Sequence, residues 1–441
     1  MKNFNKQLLI ILSMDVIFAF LIGATGTIFG YDLMMNSLLV SRYAITGPYG
    51  KDSWKVMGLG WQYWLDHNRN VALYSEMLIK DHIKFIYPPN TLLLFKYLIQ
   101  FQLDPSVFFA AMARLFLMVT IVIVAAVAYR SLKMFKKTSP SFLDKTFFFV
   151  LISLLTLAYY PVAEAFSLGQ SQAWLNALFA VALLSYMTDR KLLAGIIIGF
   201  MASFKPQYGL FILWGVFREN WKFSAAILFS GAICVIAGLP EFGLSTYFDY
   251  LKGLSFLSQH GEAFMANQSV NGLLNRILSV RYPENFNNTR WLALYYPPYY
   301  RWVYFGTLIS SFIFIALSLF GGKKNGYLSY ADFCLMGLGV TMASPIAWEH
   351  HYGILLPIFA LLWPLFWFSN TKFNSKFYQT IFILLYLVSG NLFPLLAELA
   401  PTYWNILQSL LLFAAIGLFF LILKIRHSGN IDIINNSTVH G

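Results

Sequence analysis

The sequence predicts an all-α, polytopic bundle of transmembrane helices, with about ten full spans and one hairpin of two short helices. Three observations predict it. Hydrophobic residues make up 58% of the 441 and charged residues only 11%, under half of the roughly 25% found in soluble domains. The apolar residues fall in successive runs of membrane-crossing length. Lys and Arg gather in short segments beside alternate ends of those runs, as topology signals do. The 43 Phe and 26 Tyr residues suit lipid-facing and interfacial positions. A net charge of +12 would suggest nucleic acid in a soluble protein. Here the basic residues flank spans, and a nucleic-acid partner is not expected.

The expected spans are residues 8–29, 106–128, 146–162, 172–187, 223–240, 302–320, 328–345, 352–369, 377–396 and 403–424. The run from Leu8 to Phe29 is long enough to cross, and no clear cleavage site ends it, so it reads as a retained span rather than a removed signal. Orientation tests the scheme. With the N-terminus cytoplasmic, the inner segments carry Lys2, Lys6, Arg130, Lys133, Lys136, Lys137, Lys145, Arg190, Lys191, Arg218, Lys222, Lys323, Lys324, Lys372, Lys376, Lys424 and Arg426, seventeen of the 31 basic residues. The C-terminus then also lies inside. Cys234 and Cys334 sit in apolar runs without metal or redox spacing and read as core residues. Residues 1–427 form one transmembrane domain, and 428–441 are a polar tail.

Residues 192–217 break the pattern, because basic residues on both flanks belong inside. Two crossings need about 40 residues, and only 26 are available. The segment reads as two short helices with Phe204-Lys205-Pro206-Gln207 at the tip. Irregular backbone at membrane depth is tolerated only where it is buried in protein or lines a cavity, so the turn implies a polar cavity. Two outer loops are long, residues 30–105 and 241–301, and long loops are usually functional. The first holds Trp54, Trp61 and Trp64, then Tyr87-Pro88-Pro89, then an apolar stretch Asn90–Leu103 too short to cross. That stretch is expected to lie along the surface or dip in. The second contains the aromatic stretch Phe248–Leu257 and the interfacial Tyr295-Tyr296-Pro297-Pro298-Tyr299-Tyr300.

No phosphate-binding loop, dinucleotide fingerprint, H-E-x-x-H or D-x-D pair is present, so a soluble nucleotide substrate is unsupported. Asp32 stands at the outer mouth of the first span. There a carboxylate can act as general base toward a hydroxyl, or be an ordinary interfacial Asp. Arg114 lies inside its span, where an unpaired charge costs about 2.5–3.5 kcal/mol; it pairs with a phosphate or snorkels to the interface. Lys205, at a turn that already implies a cavity, favours ligand binding over snorkelling. His350 and His351 end the stretch Ala343-Ser344-Pro345-Ile346-Ala347-Trp348-Glu349. Adjacent side chains diverge on a helix, so one is expected to face a site. No third ligand at helical spacing supports a metal, and none is expected. Gly169-Gln170-Ser171-Gln172, Asn267-Gln268-Ser269, Asn271 and Arg276 fall on the same outer side.

In this order the patches resemble glycosyltransferase family 87, polytopic bacterial C-type enzymes that include polyprenyl-phosphate-mannose-dependent mannosyltransferases. The resemblance rests on Gly30-Tyr31-Asp32, Tyr87-Pro88-Pro89, Gly169-Gln170, Lys205-Pro206-Gln207, Asn267-Gln268-Ser269-Val270 with Arg276, and Ser344-Pro345 through Trp348, His350, His351 and Tyr352. It implies an inverting transfer of a hexose, mannose by family, from a polyprenyl-phosphate donor to a lipid- or glycan-linked hydroxyl at the outer face of a bacterial plasma membrane. It implies Asp32 as base, with Lys205 and a histidine of the Trp-x-His-His stretch near the donor phosphate. Arg114 is added there on physical grounds alone. Tyr87, Gln170, Gln207, Asn267, Gln268, Asn271, Arg276 and Trp348 are expected to bind substrate. Neither metal nor cofactor is required if the cations neutralise the phosphate. Two departures stand out: residues 49–81 look like an insertion that could serve the acceptor, and Ser171-Gln172 follows the glutamine where a Val-Asn-like pair is expected. Competing readings are a carrier-lipid transporter or flippase, and another surface-glycan polymerase or ligase. Paired halves would favour the former and are not visible. The latter would place its key residues in one large loop, whereas here they are spread over many spans.

Overall fold

The computed structural model describes residues 1–30, 37–47, 50–137, 139–281, 296–322, 326–428 and 431. Asp32 lies outside them. Among the described residues the chain is helical throughout, and its one β feature is an isolated antiparallel bridge, Asn267 to Trp348.

The first helix, α1 (Lys2–Ile28), is followed by the helices of the first long loop, α2 (Ser37–Thr46), α3 (Asp52–Asp66) and α4 (Leu93–Gln100). A 3-10 turn, Pro89–Leu92, precedes α4, so the short apolar stretch is helical as expected. Tyr97, Ile99, Phe101 and Leu103 on and beyond α4 are exposed. Next come α5 (Pro105–Phe135) and α6 (Phe142–Ala158). Asp104 starts α5 by accepting from the amides of Ser106 and Val107, with Pro105 at the first helical position. Ser141 caps α6 through the amide of Asp144 and donates back to its carboxylate at 2.9 Å.

Then follow α7 (Tyr160–Ser167), α8 (Gln172–Met187) and the hairpin of α9 (Lys191–Ala202) and α10 (Phe211–Phe217). The longest helix, α11 (Trp221–His260), breaks at Gly243 (φ 64°, ψ 165°), three residues past Pro240. Helix therefore continues through much of what the sequence suggested was the start of the second loop. Last come α12 (Val270–Arg281), α13 (Arg301–Leu319), α14 (Gly326–Met342), α15 (Leu355–Phe368), α16 (Lys376–Ser389) and α17 (Leu410–Arg426).

The count of ten full spans is not reached. Among the described residues six helical segments are long and apolar enough to cross a membrane, or seven if Phe142–Ala158 and Tyr160–Ser167, bent by 65°, form one span. Gln172–Met187 and Lys376–Ser389, both expected to span, are shorter apolar helices, and α14 has 17 residues. The shortfall has a physical cause at α8: the chain leaves helical geometry beside it to place polar groups, as described below.

Burial separates core from periphery. α14 is buried along its whole length, and α15 from Leu355 to Phe366; a helix apolar all round belongs in an interior. By contrast Ile17 and Phe20 on α1, Met118 on α5, Leu228 on α11 and Phe312 on α13 are exposed, as suits a surface facing lipid. Away from the chemistry, Asp332 of α14 ties helix ends together. It accepts from Arg218 Nε at 2.7 Å, Arg426 Nη1 at 2.9 Å and Trp214 Nε1 at 3.1 Å. The two guanidiniums also cap carbonyls of Leu317, Ser318 and Leu319, the orphan acceptors at the end of α13.

Candidate active site

Two cavities meet near the turns between these helices. One, of ≈ 570 Å³, is polar: Asp52, Ser53, Lys84, Tyr87, Tyr160, Glu164, Gln170, Trp348, Glu349 and His350 are on its wall. The other, of ≈ 510 Å³, is largely apolar, lined by Phe204, Leu210, Leu254, Leu257, Phe312, Ile315 and Ile346, with Lys205, Gln207 and His351 among its polar groups beside serine and tyrosine hydroxyls. Ile86 and Tyr87 line both.

Lys205 is placed by its successor. A residue before proline is driven out of helical geometry. Lys205 is extended (φ −135°, ψ 96°), and Pro206 opens a 3-10 turn, Pro206–Leu210. The hairpin tip is pinned by Asn90, whose amide donates to the Ser203 carbonyl at 3.1 Å. Lys205 is 9% exposed, and its Nζ lies 2.5 Å from His351 Nε2. No carboxylate pairs with it among the described residues. A buried ammonium in an apolar cavity, backed by an imidazole, is arranged to receive an anion.

The two histidines follow from a second irregular turn. Gln268 N donates to the Ala347 carbonyl at 2.8 Å and Glu349 N to the Ala266 carbonyl at 3.1 Å, and a 3-10 turn, Glu349–Ile354, begins there. Three residues per turn send neighbours to different sides. His351 faces Lys205 in the apolar cavity, and His350 faces the polar one.

Gln170 is set by a third turn. Gly169 has φ +72°, and a Cβ there would lie 1.8 Å from the Gly50 carbonyl oxygen. Glycine is required for both the conformation and the approach. The first loop docks on this turn through Gly50 N to Ser167 O, 3.0 Å, and Asp52 N to Leu168 O, 2.9 Å. Docking brings Ser53 Oγ within 2.6 Å of both Gln170 Oε1 and Tyr87 Oη, and Ser171 Oγ donates to Tyr87 Oη at 3.2 Å. Gln170 Nε2 donates to Asp52. Burial holds the Asp52 carboxyl above its usual range, while the Gln170 hydrogen bond and the Lys84 and Lys55 charges pull it back. Across the cavity, Lys84 pairs with Glu262, which also accepts from Trp348 Nε1 at 2.7 Å. That contact clasps the first loop to the second.

Of the residues expected from sequence, the structure brings Lys205, His351 and Gln207 together in one cavity, and Gln170, Trp348 and His350 in the other, with Tyr87 between. Arg114 is exposed on α5 and lines neither. Asn267, Gln268, Asn271 and Arg276 are buried but committed to the frame. Asn267 Nδ2 donates to the Glu262 and Pro345 carbonyls, Gln268 Nε2 to those of Met265 and Gln408, and Asn271 Nδ2 to Thr307 Oγ1. Arg276 donates to the carbonyls of Phe264 and Asn267 and to Ser409 Oγ. Sequence reasoning missed Asp52, Ser53, Lys84, Tyr160, Glu164 and Glu349. One signal was available: Glu164 is the sole charged residue between Lys145 and Asp189, and ionisable groups in apolar stretches default to function. Among the described residues no three His, Cys, Asp or Glu side chains gather as a metal site.

No curated protein matches the chain. The model of glycosyltransferase family 87 matches residues 85–345, more than half of the chain, taking in Tyr87, Gln170, the Lys205 turn, Asn267, Arg276 and Ser344-Pro345. Asp32 lies before this match, and Trp348, His350 and His351 lie after it. With its bundle of apolar helices, the chain is a multi-pass membrane glycosyltransferase and belongs to glycosyltransferase family 87.

Proposed function

We propose that the enzyme transfers a hexose, mannose by family, from a polyprenyl-phosphate donor to a lipid- or glycan-linked hydroxyl, with inversion, at the outer face of a bacterial plasma membrane, and that both termini are cytoplasmic. The observation that carries this reading is the buried Lys205–His351 pair in an apolar cavity that shares Tyr87 with a polar one. A prenyl chain suits the apolar walls, its phosphate suits Lys205 and His351, and the sugar suits the polar side. Gln207, on the same turn as Lys205, serves the donor headgroup; Tyr87, Gln170 and Trp348 serve the sugars. Arg114 has no part in it.

The acceptor oxygen attacks the anomeric carbon, the bond from that carbon to the phosphate oxygen breaks, and the prenyl phosphate leaves with the electron pair. Negative charge grows on the phosphate, where fixed cations lower the barrier most. The hydroxyl proton goes to Asp32, placed by sequence between α1 and α2; Val40 of α2 lines the polar cavity. Asn267, Gln268, Asn271 and Arg276 hold the second loop and the 347–349 strand-like contact in register.

The test uses purified protein in proteoliposomes with a panel of radiolabelled polyprenyl-phosphate sugars and extracted membrane glycolipids as acceptors. Transfer from one donor, abolished in Asp32→Asn, is expected. Transfer from none of them would favour a carrier-lipid transporter instead. Full activity of a folded Asp32→Asn would remove Asp32 as the base.

A further inference from the structure

The polar cavity holds more acid than the donor chemistry uses. Tyr160 and Glu164 lie one turn apart on α7, and Tyr160 Oη donates to Glu349 Oε2 at 3.1 Å. Glu164 lines the same cavity as Glu349. Asp52 completes three carboxyl groups on one wall. The cations nearby are already engaged. Lys84 is paired with Glu262, and Arg276, which is not on the cavity wall, gives both of its Nη groups to two carbonyls and Ser409, with its Nε left unbonded.

Two polar atoms at this wall have no partner. Glu164 Oε2 accepts nothing, and His350 Nε2 is unbonded although His350 is only 4% exposed and faces the cavity. Leaving a buried polar atom unsatisfied costs about 1–3 kcal/mol, which a bound hydroxyl would recover. Carboxylate oxygens and a ring nitrogen, spaced around a tyrosine hydroxyl, match the alternating donors and acceptors of neighbouring hydroxyls on a sugar ring. A carboxylate or phosphate on the sugar would have to be buried here beside acidic groups with no free cation to pair it, which is costly.

We propose that Glu164, Glu349, Tyr160 and His350 form the acceptor subsite, and that it binds an uncharged saccharide through its hydroxyls and rejects saccharides carrying a carboxylate or phosphate. The proposal rests on the transferase reading above and deepens it. Residues 52–56, within the stretch set apart in the sequence as an insertion, form part of this wall through Asp52, Ser53 and Val56.

The test compares hexyl glucoside with hexyl glucuronide, matched except for one carboxylate, on full-length protein in nanodiscs. Binding is read by ligand-observed saturation-transfer NMR, with labelled polyprenyl-phosphate sugar binding measured in the same samples. The glucoside is expected to bind at least about tenfold more tightly than the glucuronide, and Glu164→Gln to weaken the glucoside about tenfold and shrink the preference, each tenfold being one charged hydrogen bond. Donor binding should fall less than glucoside binding, because the donor's prenyl chain and phosphate are held in the apolar cavity, whose wall lacks Glu164. Because Glu349 is enclosed, Glu164→Gln and the wild-type pair carry the test even if Glu349→Gln does not fold. Equal binding of the two glycosides, binding of neither, or an unchanged preference in Glu164→Gln would overturn the subsite. Failure of the wild type to bind any labelled donor would instead overturn the transferase reading.

Discussion

Replacing Lys205 by methionine removes one positive charge and little volume from the apolar cavity. A phosphate oxygen held by the ammonium would sit at about 2.8 Å, a charge-assisted hydrogen-bond length. At that distance and an effective dielectric of about 20, two unit charges attract by about 6 kcal/mol. The donor phosphate carries one negative charge before transfer, and the leaving phosphate gains a second. If about half of that second charge has developed at the transition state, Lys205 favours the transition state over the bound donor by about 3 kcal/mol. The expected fall in kcat is about 10²-fold, within the range seen when one fixed donor to a developing anion is removed. Stability should move the other way. The ammonium is 9% exposed, with His351 as its neighbour and no carboxylate paired to it among the described residues, so methionine relieves a desolvation cost. The assay is steady-state transfer from labelled donor in proteoliposomes, with thermal unfolding of the same preparations. A kcat within about fivefold of wild type, or a loss confined to KM, would refute the transition-state role. A Tm that falls with activity would make Lys205 a structural group.

Two further outcomes follow from the frame. Gly169→Ala is expected to prevent stable folding, because its Cβ would lie 1.8 Å from the Gly50 oxygen at a positive φ; size-exclusion chromatography of detergent-solubilised protein reads this, and a monodisperse, active variant would contradict it. Arg276→Met takes a hydrogen bond from the Phe264 carbonyl, which keeps the Asn267 amide, and from the Asn267 carbonyl and Ser409 Oγ, costing about 2 kcal/mol or more in stability at about 1–3 kcal/mol per buried group left unpaired. Its Tm should drop while donor KM, measured on the folded fraction, stays near wild type; a raised KM at unchanged Tm would show that Arg276 binds substrate instead.

The sequence made some of this legible and hid the rest for identifiable reasons. The Lys205 hairpin was readable because flanking Arg and Lys bracketed a segment too short for two crossings, and a Lys-Pro pair marks its own turn. The short helix after Tyr87 was readable from length alone. Span number was not. Hydropathy registers an apolar run whether the chain passes through it as one straight helix or as two bent against each other, and Phe142–Ala158 with Tyr160–Ser167, bent by 65°, is such a case. At Asn267, Gln268, Asn271 and Arg276 the residue types were right for a polar site, but amides and guanidiniums serve buried carbonyls as readily as ligands. Only geometry distinguishes the two uses. Asp52 and Glu164 were passed over because they stand over 100 positions apart in the chain. They become neighbours when the first loop docks on the turn after α7, a long-range event that no local pattern encodes.

Several of the polar groups of the site lie where helical hydrogen bonding is interrupted: Lys205 before Pro206, Gln170 after Gly169, and His350 and His351 in the 3-10 turn after Trp348. A continuous helix satisfies its own backbone and projects side chains outward around its axis, leaving lipid as the only surroundings for a peripheral residue. Breaking it frees amides and carbonyls that must then find partners. In this chain the partners come from distant elements: Asn90 to the Ser203 carbonyl, Gly50 and Asp52 to the 167–168 carbonyls, and the 266–268 backbone to residues 347–349. The same bonds that satisfy each break also fasten one loop to another turn, so the repair of the backbone is what assembles the two cavities. The motif residues and their packing partners are therefore coupled through backbone satisfaction as well as through side-chain contact. That explains why Arg276 and Gln268, which touch neither cavity, stand beside the clasp around Trp348: their side chains hold the carbonyls of Phe264, Met265 and Asn267 in the non-helical segment that pairs with residues 347–349.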